Sequence, residues 1–330
     1  MRGLLLFSIF TMMLMAHVRA HADELELLFY RAPQPLDWST PGALVRSAYH
    51  NSFAKVGHWE NDNYRWDIYP HGISHVNIKL QCGSKSPVYR GMTSDRSNFS
   101  YAWDLMVKGR ALETFLIDVQ GRFYKNDEVL KWLSILESQD YVRRFQLKLN
   151  SAQCSRLENY LAQYEKLKLW TVYGGLRSQA LWGQGAGCAD FAVSFLKILN
   201  LFPEEIATHW RRELKVPLRL LSSETRDADI SFWKYIRGAD GTWAKDSKNA
   251  VVFSFYDPEL MYRWVGAKNK AVWDVSSYKT PQGDILKMPA EKILKNIYRK
   301  RSNLNALLSE ADLKNPYRYE CDTLGFCKVD

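Results

Sequence analysis

The stretch Trp182-Gly183-Gln184-Gly185-Ala186-Gly187-Cys188-Ala189-Asp190-Phe191-Ala192-Val193-Ser194-Phe195-Leu196-Lys197-Ile198-Leu199-Asn200 limits the fold more than any other part of the chain. Its alternate glycines allow a tight loop that side chains would resist. The residues after Cys188 are apolar on nearly every side, which marks a helix buried all round. Pro203 comes soon after, at a distance suited to ending it. A buried helix therefore begins at Cys188. There, unpaired backbone N–H groups and the positive end of the helix dipole favour a thiolate. The glycines at 183, 185 and 187 would let a substrate backbone approach and help place N–H groups around a developing oxyanion. The same residues also read as a small buried side chain at a tight loop-to-helix junction.

Around this segment the pattern is mixed. Leu25 to Arg31 reads as a first strand, and Pro33, Pro35 and Pro41 punctuate the segment after it. In Ser74-His75-Val76-Asn77-Ile78-Lys79-Leu80, apolar and polar residues alternate, as in a strand with two different faces. Cys82 to Pro87 is turn-like, so Val88 to Thr93 closes a hairpin. Leu112 to Val119 reads as a third strand before a turn at Gln120-Gly121, with a helix left open over its first half. Residues 127 to 140 and 151 to 166 carry helical spacing, the second through Cys154, Leu157, Leu161 and Tyr164, with Ser151 as its cap. A further amphipathic helix spans 290 to 300. The expected fold class is α+β, with residues 23–205 as the core and 206–330 as an α+β extension packed on it.

The beginning, Met1-Arg2-Gly3, an apolar run from Leu4 to Met15 and then Ala16 to Ala22, has the layout of a secretion signal over residues 1–22. The run is far shorter than the roughly 20 residues that span a bilayer, and no later stretch qualifies as a transmembrane segment. The expectation is export, to a periplasm or a medium. Loss of Arg2 and Arg19 lowers the net charge from +9 to +7, a basic balance suited to cell-wall polymers or lipid head groups. Nothing points to nucleic acid. The 12 Trp and 18 Tyr are read chiefly as core.

In an exported chain exposed thiols tend to pair. With 5 cysteines, at least one thiol stays outside any complete set of intramolecular pairs. Cys321 and Cys327 are close enough in sequence to close a small loop, and Cys82 and Cys154 are open to pairing, which would leave Cys188 free. An intermolecular disulfide is the competing use of the odd thiol. A cysteine nucleophile needs a general base, usually histidine. Of the histidines that remain after the signal, His209 lies in a basic helix-like stretch. Among His50, His58, His71 and His75, only His75 opens a well-patterned strand. His58, His71 and His75 are also candidate metal ligands, but Gly72 and the β pattern oppose the helical spacing this would need. The expectation is no metal and no cofactor.

A strand beginning His75-Val76-Asn77-Ile78 with a Gly-Cys at a helix start far downstream resembles the circularly permuted papain-like proteins of the NlpC/P60 superfamily. The resemblance covers roughly residues 70 to 200. It implies an antiparallel sheet packed on helices, a thiolate at Cys188, an imidazole at His75 and a covalent thioester formed from an amide or ester. The superfamily commonly places a third polar residue on the next strand to orient the imidazole. Here Pro87, Val88 and Tyr89 occupy that place, and Thr93, Asp95 and Glu113 are the remoter substitutes. The resulting reading is an exported cysteine hydrolase, Cys188 with His75, cleaving an amide bond, above all in peptidoglycan peptides. An acyl hydrolase or acyltransferase acting on membrane lipid, and a non-catalytic envelope-binding protein that keeps the fold, are the alternatives.

Overall fold

A computed structural model describes residues 23–95, 110–175, 178–223, 225–268, 272–302 and 304, and two short strands at Glu320–Cys321 and Cys327–Lys328. Residues 1–22, the expected signal, lie outside the described residues. The protein is α+β. Its main sheet has five strands, in the order β12 (Val272–Asp274), β8 (Val142–Lys148), β1 (Glu24–Tyr30), β4 (His75–Gln81) and β5 (Val88–Arg90). All neighbours are antiparallel except β12, which runs parallel to β8. β1 is central because both its faces are buried. Leu25, Leu27 and Phe29 point one way and Leu28 and Tyr30 the other, and all are buried.

On the first face lie α3 (Ser151–Lys166), α4 (Cys188–Ile198) and α7 (Pro258–Ala267), joining Val76, Ile78 and Leu80 of β4 in the largest apolar cluster. On the second face α2 (Asn126–Glu137) brings Val129, Leu133 and Leu136 against Leu28, Tyr30 and Val142. A projecting hairpin, β2 (Lys55–Glu60) and β3 (Asn63–Ile68), turns through Asn61 and Asp62, both with positive φ. β6 (Met92–Ser94), β7 (Val119–Phe123) and β9 (Val172–Tyr173) form a small sheet beside the main one. A third apolar cluster joins α1 (Pro41–Ser52), α6 (Phe232–Ile236) and the hairpin of β10 (Arg211–Pro217) with β11 (Ala250–Tyr256).

The first strand, the hairpin from residue 74 and the helix over 151–166 stand where the pattern places them. Asn150, not Ser151, caps that helix, accepting from the Gln153 N–H at 2.9 Å. Over 112–119 the strand is a correction, and the helix left open for the first half is what forms. Leu112–Phe115 is a 3-10 turn, because the buried Glu113 carboxylate accepts the N–H of Ala111 and of Ser222 while Leu112 and Leu116 both enter the third cluster. The strand begins at Val119, so Gln120-Gly121 lies inside it. A Cβ on Gly121 would stand 2.5 Å from the Tyr173 nitrogen, so the glycine marks close strand approach rather than a turn.

Of the tryptophans after Pro203, Trp210, Trp264 and Trp273 pack in or against the largest cluster, whereas Trp233 is exposed. Trp210, at the end of α5 (Glu204–Trp210), is fully buried, with its ring against Phe29, Phe145, Phe202 and Trp264. α8 (Ala290–Ser302) buries Ile293 and Ile297, and its Lys300 pairs with Asp118 at 3.1 Å. No helix among the described residues is long and apolar enough to cross a membrane.

Cys82 and Cys154 form a disulfide that ties the end of β4 to α3 across 72 residues of sequence. Cys321 and Cys327 stand opposite each other in the short pair β13 (Glu320–Cys321) and β14 (Cys327–Lys328). Closing a loop as long as that between Cys82 and Cys154 removes chain entropy worth up to about 4 kcal/mol from the unfolded state. Urea unfolding of a Cys82→Ala, Cys154→Ala double variant is expected to show a loss of roughly 2–4 kcal/mol. An unchanged midpoint would mean that α3 and β4 hold together without the bond.

Candidate functional site

The loop before α4 is shaped by its glycines, but their open space is filled from within the chain. Gly183 and Gly185 have φ of 64° and 77°. A Cβ on Gly183 would meet Ile293, and one on Gly185 would stand 2.3 Å from the Val172 carbonyl oxygen. At these two positions the space goes to the protein's own α8 and β9, not to a substrate backbone. The loop is tied to the helix by the Asp190 carboxylate, which accepts the Ala180 N–H at 2.6 Å. Gly187 is the N-cap, extended at φ −73°, and delivers Cys188 as the first helical residue.

Cys188 is buried and free of any disulfide. Burial pushes its thiol above the ordinary value, while the N–H groups of Val76, Ala189 and Cys188 itself and the Tyr173 hydroxyl pull the other way. Burial prevails, so the resting sulfur is a protonated thiol surrounded by donors able to receive negative charge.

The other expected residue, His75, opens β4. Because strand residues alternate, Val76 and Ile78 face α4 while His75 and Asn77 turn to the second face, among Tyr30 and Tyr124. β5 pairs only with Ile78 to Leu80, so on that side the start of β4 has no neighbouring strand. The sulfur of Cys188 lies at this edge, near the Val76 N–H. Among the described residues no hydrogen bond joins Cys188 to His75. Tyr124 lies between their surroundings. Its ring is 5.4 Å from that of His75, and its hydroxyl, raised mainly by burial, is raised further by Cys188.

The orienting group sought a strand away is on β4 itself. Asn77 Oδ1 lies 2.9 Å from His75 Nε2. Since that oxygen only accepts, Nε2 carries the proton and Nδ1 is the basic nitrogen. Asn77 was legible in principle, as residues i and i+2 of a strand share a face. Gly91 makes room for the arrangement, since a Cβ there would stand 1.7 Å from Asn77 Oδ1 and 3.3 Å from His75 Nε2. Burial holds the His75 imidazole down at about 4, against the support of Asn77. The His71 ring is stacked on it at 4.5 Å and 3°, and is also held low by burial and by His75.

The three remoter substitutes divide. Thr93 Oγ1 lies 3.4 Å from the Tyr124 hydroxyl, one side chain away from His75. Asp95 pairs with Arg122 at 3.8 Å. Glu113 is consumed by the backbone N–H groups of Ala111 and Ser222. His58 is in the projecting hairpin with Asp67, at 3.1 Å, and His50 and His209 lie on α1 and α5. No group of three or more His, Cys, Asp or Glu among the described residues is placed to hold a metal ion.

The fold and site thus define an α+β protein with a buried free thiol at a helix N-terminus and an oriented imidazole at the adjoining sheet edge. No family model matches the chain, and no curated protein or solved structure does.

This geometry has two measurable outcomes. The folded His75 titrates near 4 and an unfolded histidine near 6.5, so between these values the unfolded state binds more protons. Stability is therefore present above about pH 6.5 and lost as pH falls through about 4, by roughly 3 kcal/mol from His75 alone. Denaturant midpoints measured across this range should show the loss, and a His75→Phe variant should reduce it, leaving the part that comes from the buried His71. Separately, Gly91→Ala should break the Asn77 to His75 bond, read as disappearance of the slowly exchanging Nε2 proton in NMR spectra.

Proposed function

We propose that the protein is an exported thiol hydrolase with a permuted papain-like core, cleaving an amide bond in cell-wall peptidoglycan peptides. Cys188 is the nucleophile, His75 the general base and Asn77 the residue that positions it. The observation that carries the reading is the 2.9 Å contact of His75 Nε2 with Asn77 Oδ1, which fixes the tautomer and leaves Nδ1 to accept a proton. A free cysteine, a histidine and an orienting asparagine are the Cys-His-Asn variant of the nucleophile, base and orienter scheme. The N–H groups at the start of α4 support it, being the kind of donor that stabilises an oxyanion.

In this scheme the sulfur attacks the carbonyl carbon as its proton passes to His75 Nδ1. The oxyanion collapses, the C–N bond breaks, and the amine leaves with that proton. Water, deprotonated by the same imidazole, then hydrolyses the thioester and returns the thiol. Because the resting thiol and imidazole are both neutral, the proton moves during attack, not before it. Reaction therefore requires closer approach of sulfur and Nδ1 than the free protein has. The burial and raised thiol of Cys188 are what a non-catalytic protein retaining the fold would also show, so reactivity at this sulfur separates the two readings.

Purified protein incubated with peptidoglycan is expected to release new peptide termini by mass spectrometry, and none with Cys188→Ala. His75→Ala should lower the rate by roughly 10²- to 10⁴-fold. Fatty acid released from phospholipid vesicles in place of peptide termini would reassign the substrate to membrane lipid. Neither product, with a Cys188 that resists iodoacetamide up to alkaline pH, would overturn the hydrolase reading.

A further inference from the structure

His71 has no part in the scheme above, yet its ring is stacked directly on the base. The turn from His71 to Ser74, closed by the Ser74 N–H to the His71 carbonyl at 3.2 Å and by a positive φ at Ser74, brings the chain back into β4 so that the two imidazoles lie flat on each other. Tyr30, Tyr69 and Tyr124 surround His71 with ring centroids at 4.7, 6.4 and 5.9 Å. Its Nε2 is buried and makes no hydrogen bond, a cost that a phenyl ring in the same place would not carry.

We propose that His71 is a positioning residue whose flat ring holds the His75 imidazole in the plane that keeps Nε2 on Asn77 and water away from its face. The inference rests on His75 being the base of the proposed hydrolase, but its geometry stands without turnover. The titratable groups around the stacked pair are the hydroxyls of Tyr30, Tyr69 and Tyr124 and, beside Tyr124, the Cys188 thiol, and all four are raised, mainly by burial, so they stay neutral. The charged groups farther along this face are committed to one another, Glu26 to Lys79 at 3.7 Å and to Arg144 at 3.0 Å. Arg122, whose guanidinium lies 5.2 Å from the Tyr124 ring, is paired with Glu128. Burial, opposed by the Asn77 hydrogen bond, thus sets the imidazole's state, and the stacked His71 ring covers one face of the imidazole.

The test is an NMR titration of the His75 imidazole in the full chain as wild type, His71→Phe and His71→Ala, each also with Cys188→Ala, and each checked for a folded near-ultraviolet signature. His71→Phe should keep the low titration and the protected Nε2 proton, since the flat ring remains. His71→Ala should raise the His75 titration by at least about one pH unit toward its ordinary value near 6.5 and lose the protected proton. Wild-type behaviour in His71→Ala would overturn the proposal. So would an equal shift in both variants, which would assign the effect to the imidazole's polar atoms. Iodoacetamide labelling of Cys188 in the variants that keep it, with the product assay above, holds the two ideas apart. An inert thiol, with neither peptide termini nor fatty acid released and with the expected His75 shifts, would end the hydrolase reading and leave the positioning role standing.

Discussion

The pairing of β4 between β1 and a β5 too short to cover its beginning is the constraint on which the rest of the structure depends. Seven residues of β4 pair along the whole of β1, from His75 opposite Tyr30 to Gln81 opposite Glu24. That register fixes every side chain to one face or the other. Val76, Ile78 and Leu80 must enter the core that α4 fills, and His75 and Asn77 must share the opposite face. The early stop of β5 leaves the edge at Val76 open to the first turn of α4. The proposed nucleophile and base are thus brought to one short stretch of strand from different sides, by a sheet whose core is built of apolar residues that take no part in the proposed chemistry.

Two opposed effects meet at that edge. A helix start and a strand-edge N–H would favour a thiolate, and enclosure disfavours it. Enclosure wins at the thiol and at both imidazoles, so the site rests without formal charge. Uncharged groups of matched tautomer are cheaper to bury than an ion pair, whose desolvation is costly in a low-dielectric interior. The arrangement also depends on absent atoms. The lack of a side chain at Gly91 admits the Asn77 amide, and the lack of one at Gly185 lets the loop press on β9.

Much of the framework was legible in local pattern. Period-two alternation located β4, whose apolar and polar residues go to different faces although both faces are buried, and three-to-four spacing located α3, where one face is buried and the other is not. The apolar run after Cys188 located α4 for a different reason, as it is buried on nearly every side. The choice between strand and helix at the start of 112–119 stayed open because the contact that decides it is distant. Glu113 is held by a backbone N–H over a hundred residues away, at Ser222, which no window around it contains. The orienter was missed through expecting it on the neighbouring strand, although the alternation that placed His75 also placed Asn77 beside it. The stacking of His71 depends on the positive φ at Ser74, a conformation serine seldom adopts and one that residue type alone does not signal.

The parallel edge strand β12 gives the order of synthesis a structural meaning. It pairs with β8 through Val272 to Asp274, after more than a hundred residues of intervening chain, while Trp210 and Trp264 wedge against the same Phe145 from β8. A chain emerging N-terminus first can assemble β1, β4, β8 and the bridge from Cys82 to Cys154, but one edge of the sheet and the apolar surface around Phe145 stay uncovered until residue 274 has arrived. Long-range pairing of this kind is slow and leaves transient surface open to association. Until then the sheet lacks its last edge strand and Phe145 lacks the rings of Trp264 and Trp273.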